Sequence, residues 1–73
     1  MLEPWATLSA LRRARVSRGL SLLRVSLATG IPAQKIGNAE RLLGRLAPVE
    51  RKLLANFYGS PEDVLFEEWL GDA

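Results

Sequence analysis

The chain contains no cysteine and no histidine. Disulfide staples, thiolate chemistry and the ordinary zinc sites are thereby excluded. No metal and no cofactor is expected. A cysteine-free chain suits a reducing compartment. Apolar runs never exceed a few residues, so no segment reads as a membrane span. The first residues, MLEPWATLSALRRARV, lack the order of a secretory signal, because their charge follows their apolar part. Cytoplasmic localisation and no membrane partner are the expectations. Strand-like alternation, internal repeats and low-complexity segments are missing too. No glycine loop that cradles phosphate and no metal-ligand spacing occurs. Any catalysis would rest on carboxylates such as Glu40 or the Glu62, Asp63, Glu67 and Glu68 group. These read better as a scaffold ion pair and a helix start, and no enzyme is expected.

What is present argues for one small helical domain. Of 73 residues, 48% are hydrophobic, which favours folding over disorder. A chain of this size sits near the lower limit for a core without staples, which makes self-association a reasonable expectation. Charge is lopsided. Residues 1–52 hold all ten Lys and Arg against Glu3, Glu40 and Glu50, a net of +7, whereas residues 53–73 hold five acids and no base. That pattern suits a basic face for a polyanion with an acidic end kept away from it; ordinary surface charge is the plainer alternative.

Local signals divide the chain into five helices. Residues 1–7 read as an arm, with Trp5 covering one end of the core, 8–70 as the domain and 71–73 as a tail. Thr7 is a plausible N-cap for a first helix in which Leu8, Leu11 and Ala14 recur at helical spacing. Gly19 ends it. A second helix begins at Ser21 and stops near Thr29. Gly30 permits a sharp corner, and Ile31 can plug the angle. Pro32 opens a third helix towards Leu43, since a missing N–H has no cost in a first turn. Within it, Gly37 is unfavourable by roughly 1 kcal/mol against alanine; it could permit close approach of another backbone or of DNA, with tolerated drift as the alternative. Pro48 opens a fourth helix, with Val49, Leu53, Leu54 and Phe57 as its apolar stripe and Gly59 as its stop. Ser60-Pro61-Glu62-Asp63 starts a fifth, carrying Val64, Leu65, Phe66, Trp69 and Leu70. The fold class is all-α.

The joint spacing resembles the lambda-repressor-like (Cro or XRE type) helix-turn-helix domains over roughly residues 8–66. Leu11-Arg12-x-x-Arg15-x-x-x-Gly19-Leu20-Ser21 is similar to that family's first helix and link. Val25, Gly30, Ile31, Ile36 and Glu40 fall at its helix-turn-helix spacings, and Leu46 to Phe57 and Pro61 to Phe66 match its last two helices. The resemblance implies a compact five-helix domain that binds double-stranded DNA as a homodimer and regulates transcription. It implies an ion pair between Arg15 and Glu40 that locks the third helix to the scaffold. It also implies base-facing roles for Ala33, Gln34 and Asn38 in the major groove, with Lys35 beside them. Gln and Asn can bridge adenine N6 and N7, and Lys can reach guanine or a phosphate. Arg12, Arg13, Arg24, Arg41 and Arg45 form the pool for phosphate contacts.

Some residues depart from the family pattern. Leu22 stands where a phosphate-touching Gln is common, and Pro32 where Ser or Thr caps the third helix. Ala33 cannot hydrogen-bond a base edge. Leu23 and Leu27 lie four apart where polar surface is expected, and with Leu22 they form a candidate ridge for a protein partner or a second copy. Inward packing is the alternative for that ridge. Trp69 and Leu70 are a second candidate seam, for which the alternative is plain core. A protein-interaction module on the same fold, such as an antitoxin or a factor docking on the transcription machinery, is therefore the competing functional expectation.

Overall fold

The computed structural model describes residues 8–70, with the side chain of Leu70 outside that description. Trp5, Thr7 and the tail residues 71–73, on which the expectations above partly fall, lie outside the described residues. The described chain is all-α, with helices α1 (Ala10–Val16), α2 (Leu22–Thr29), α3 (Ala33–Glu40), α4 (Pro48–Tyr58), α5 (Glu62–Leu65) and α6 (Glu67–Leu70). None of them is long and apolar enough to cross a membrane.

The punctuation is mostly local chemistry. Ser21 Oγ accepts the Arg24 N–H and caps α2, and Gly30 (φ 80°) ends it in the left-handed region. Gly59 (φ 68°) does the same for α4, which begins at Pro48. In both places a side chain would strain the turn. Between α2 and α3, Ile31 is 2% exposed and fills the corner, as its position suggested.

Several boundaries differ from the sequence reading, each for a tertiary reason. α1 is capped by Ser9, whose Oγ accepts from Arg12 N. The same hydroxyl donates to the Glu40 carbonyl at 2.6 Å. Ser9 therefore starts α1 and satisfies a terminal carbonyl of α3 at once. α3 stops at Glu40 and not near Leu43. Leu42 turns into the left-handed region (φ 60°), and the Leu43 N–H donates back to the Asn38 carbonyl at 2.8 Å. Leu42 thus takes the position that glycine usually occupies in such a helix end. The expected fifth helix is interrupted at Phe66, which leaves two four-residue turns, α5 and α6, and six helices among the described residues. Pro61 precedes α5 without a side-chain cap.

One core joins the elements. Leu11, Val25, Ile31, Ile36, Ala39, Leu46, Leu54, Tyr58, Leu65 and Phe66 are buried together, and Ala14, Leu20, Leu22, Ala55 and Trp69 pack against them. The stripe read on α4 needs correction. Leu54 and Tyr58 face inward, whereas Val49, Leu53 and Phe57 are 64%, 41% and 38% exposed. Two apolar rows run along α4 at i, i+4 spacing, and α2 and α5 cover only the first.

Candidate nucleic-acid interface

α3 divides cleanly into two faces. Ile36, Gly37, Ala39 and Glu40 are buried, while Gln34 and Lys35 are exposed and Ala33 and Asn38 half-buried. The exposed row continues into Arg41. What fixes this orientation is a carboxylate under the helix. Glu40 is 4% exposed. Its Oε2 accepts from Arg15 Nε at 2.8 Å and its Oε1 from Arg15 Nη2 at 3.0 Å, a two-pronged ion pair between α3 and α1. Arg15 also donates from Nη1 to the Leu20 carbonyl at 2.8 Å, which ties in the link before α2. The hydrogen bond to Glu40 raises the Arg15 guanidinium further above its ordinary value, against an opposing effect of burial. The expected pair is present, and one guanidinium holds three segments.

Beneath this clamp lies Tyr58, 4% exposed, with a hydroxyl that has no hydrogen-bond partner among the described residues. Burial, followed by the nearby Glu40 charge, pushes its pKa up to about 12, with Arg15 and Arg18 pulling the other way. Arg18 stacks over the Tyr58 ring at 5.2 Å and donates to the Tyr58 carbonyl at 2.7 Å, so the end of α1 is fastened to the end of α4.

The candidate base-facing residues do not converge on one point. Ala33 and Gln34 line an open cleft of about 290 Å³ between α1 and α3, together with Arg12, Leu22, Gly37 and Arg41. Lys35 is drawn the other way, to Glu50 at the start of α4, at 2.9 Å. Asn38 accepts from Arg41 Nη2 at 2.8 Å. Gly37 makes room for a neighbouring side chain: a Cβ built on it would lie 3.3 Å from Leu22 Cδ1.

The phosphate candidates divide in the same way. Arg12 and Arg24 are exposed and carry no carboxylate partner among the described residues. Arg41 holds only the Asn38 amide. Arg13 is paired with Glu67 at 3.1 Å and bonded to the Leu8 carbonyl. Arg45 lies over the Trp69 ring at 5.6 Å. The acidic end is not held away from the basic part. Glu67 reaches Arg13, Glu62 approaches Arg51 at 3.6 Å, and Glu68 accepts the Ala10 N–H at 2.9 Å at the start of α1. Sequence reading missed Ser9, Glu50 and this folding back of α6. Ser9 carried the local signal of an N-cap serine and Glu50, three residues after the Ala47 cap position and just beyond Pro48, that of a helix-start acid; the folding back of α6 carried none.

No protein-family model, curated protein or solved structure matches this chain.

The candidate partner surfaces also separate. Leu23 and Leu27 stand 63% and 76% exposed, whereas Leu22 turns inward against the core. The ridge is therefore two leucines, not three. Trp69 packs on the core with its ring 4.7 Å from that of Phe66, which favours core over seam for that residue.

Proposed function

We propose that this protein is a DNA-binding transcriptional regulator of the lambda-repressor-like (Cro/XRE) type, placing α3 in the major groove and acting as a homodimer in the cytoplasm. The observation that carries the reading is the buried Arg15–Glu40 clamp beneath α3. It holds a short helix rigidly against the scaffold while leaving Gln34, Lys35 and Asn38 on the opposite face. A clamp of this kind suits a helix whose function is to present side chains to a groove. Arg12, Arg24 and Arg41 then supply phosphate contacts, and Gln34 and Asn38 supply the base reading. Glu40, Glu50, Glu62 and Glu67 are engaged in ion pairs and Glu68 accepts a backbone N–H at the start of α1, which supports reading the protein as a binding module and not an enzyme.

The test is fluorescence anisotropy with duplex DNA across a salt series. Three unneutralised arginines per protomer give about six phosphate contacts per dimer and a log–log slope of roughly −5. Affinity then falls about a thousandfold between roughly 50 and 200 mM salt. Tight binding that ignores salt, or no binding at low salt, refutes the reading. Selection from a random duplex pool should enrich a partly palindromic site, and Gln34→Ala or Asn38→Ala should abolish that enrichment.

The exposure of Leu23 and Leu27 favours a second reading, a protein-interaction module that docks through α2. With both residues replaced by Glu, the monomer should melt within a few degrees of wild type while its association state changes on sedimentation. Unchanged association, or loss of the fold, removes that surface from consideration.

A further inference from the structure

Lys35 and Glu50 meet across the boundary between α3 and α4, fifteen positions apart in the chain. Lys35 Nζ donates to Glu50 Oε2 at 2.9 Å. The other oxygen, Oε1, accepts the Ala47 N–H at 2.8 Å, closing the first turn of α4 as an acid at the third helical position does. The two partners are unequally free. The Glu50 side chain is 16% exposed and the Lys35 side chain 45%. Glu50 is therefore the anchored member, fixed by the helix start it caps, and the flexible lysine is drawn to it. These two bonds, that from Lys35 first, hold the Glu50 carboxyl below the usual carboxylate range, so it stays charged at neutral pH.

Lys35 is the single cationic residue within α3. Its charge is thus met by an acid of the protein itself, on the face that the proposed DNA-binding role turns towards the groove. We propose that Glu50 is a built-in competitor for the DNA backbone: it restrains Lys35 and lowers both the affinity and the salt dependence of duplex binding. This inference rests on the DNA-binding reading above. A phosphate that engages Lys35 has to displace Glu50 Oε2 and then sits near a carboxylate still tethered to Ala47. Glu50 accordingly sets how readily α3 exchanges its internal partner for DNA.

Glu50→Gln isolates the effect. A glutamine keeps an oxygen for the Ala47 N–H and is the accepted alternative at this capping position, but it no longer carries the charge that holds Lys35. The measurement is anisotropy of a fluorescent mixed-sequence duplex about two helical turns long, across a salt series. It uses wild type, E50Q, Lys35→Met and the double variant, after circular dichroism melts establish that each is folded. One ion pair is released per protomer, each worth about two- to fivefold at low salt, so E50Q is expected to bind as a dimer about four- to twenty-five-fold tighter. Its log–log salt slope should steepen by about 1.8, two added phosphate contacts per dimer. In the Lys35→Met background, the same Glu50 substitution should lose at least half of that gain and leave the slope unchanged, because the two residues act as one unit.

Wild-type protein that binds no duplex at low salt refutes the DNA-binding reading itself. Wild type that binds, with E50Q matching it in affinity and slope, overturns the restraint alone. A gain that persists undiminished in the Lys35→Met background also overturns it, since the effect is then general charge and not release of the lysine. Should E50Q melt early, Glu50→Asp keeps a capping carboxylate but draws it back from Lys35. It should again steepen the slope, and an unchanged slope counts against the proposal.

Discussion

Replacing Arg15 with methionine tests the clamp that organises the domain. The substitution keeps an unbranched apolar stem and removes the guanidinium. It leaves Glu40, whose side chain is 2% exposed, facing no cation at the site where Nε and Nη2 now lie 2.8 and 3.0 Å away. Stranding one member of a buried pair costs about 3–5 kcal/mol, and the lost bond to the Leu20 carbonyl adds to this. A domain of 73 residues has a total stability of roughly 4–11 kcal/mol. Arg15→Met should therefore remove a third or more of it and lower Tm by at least about 12 °C. Urea unfolding followed by circular dichroism should show a reduced midpoint at unchanged slope. A second substitution discriminates the cause. Adding Glu40→Leu removes the stranded charge, and at least half of the lost stability should return, because well-packed apolar replacements of buried pairs are often neutral. A loss below about 1 kcal/mol for Arg15→Met, or no recovery in the double variant, refutes the claim that an ion pair fixes α3.

Two further outcomes follow from the same packing. Tyr58 is the single tyrosine, so its phenolate absorbance reports one site. Burial raises its folded-state pKa from the ordinary 10.0 to about 12. The stability it contributes is fully present below pH 10.0 and is lost as pH rises towards about 12. Native protein should titrate near the upper value and urea-unfolded protein near the lower one; coincident curves would show that the ring is not buried. Gly37→Ala should stabilise the protein by up to about 1 kcal/mol, because alanine is the better helix former and the neighbour at 3.3 Å is the flexible end of Leu22. A lowered Tm would mean that Leu22 has no room to move.

Much of the secondary structure was legible because helix ends are decided within about four residues. Ser21, Gly30, Pro48 and Gly59 each act on backbone groups beside them, and all four mark the boundaries expected of them. The pairing of Arg15 with Glu40 was legible only through a family resemblance, since nothing local links residues so far apart. The capping bond of Ser9 to Arg12 N is local and legible in principle, whereas its second bond, to the Glu40 carbonyl, exists only after α3 has docked.

By itself, then, the sequence determined an all-α chain, its turns, and an apolar corner at Ile31. The tertiary structure decided which surfaces those helices hide. On α4 the Val49, Leu53, Phe57 row and the Leu54, Tyr58 row have equal claims by periodicity, and only the directions from which α2 and α5 approach select the second. The same holds for charge. Composition separates a basic part from an acidic one, but the path of the chain brings Glu67 to Arg13 and Glu62 to Arg51. Electrostatic attraction acts through space, and its partners are settled by where the packed core leaves each side chain.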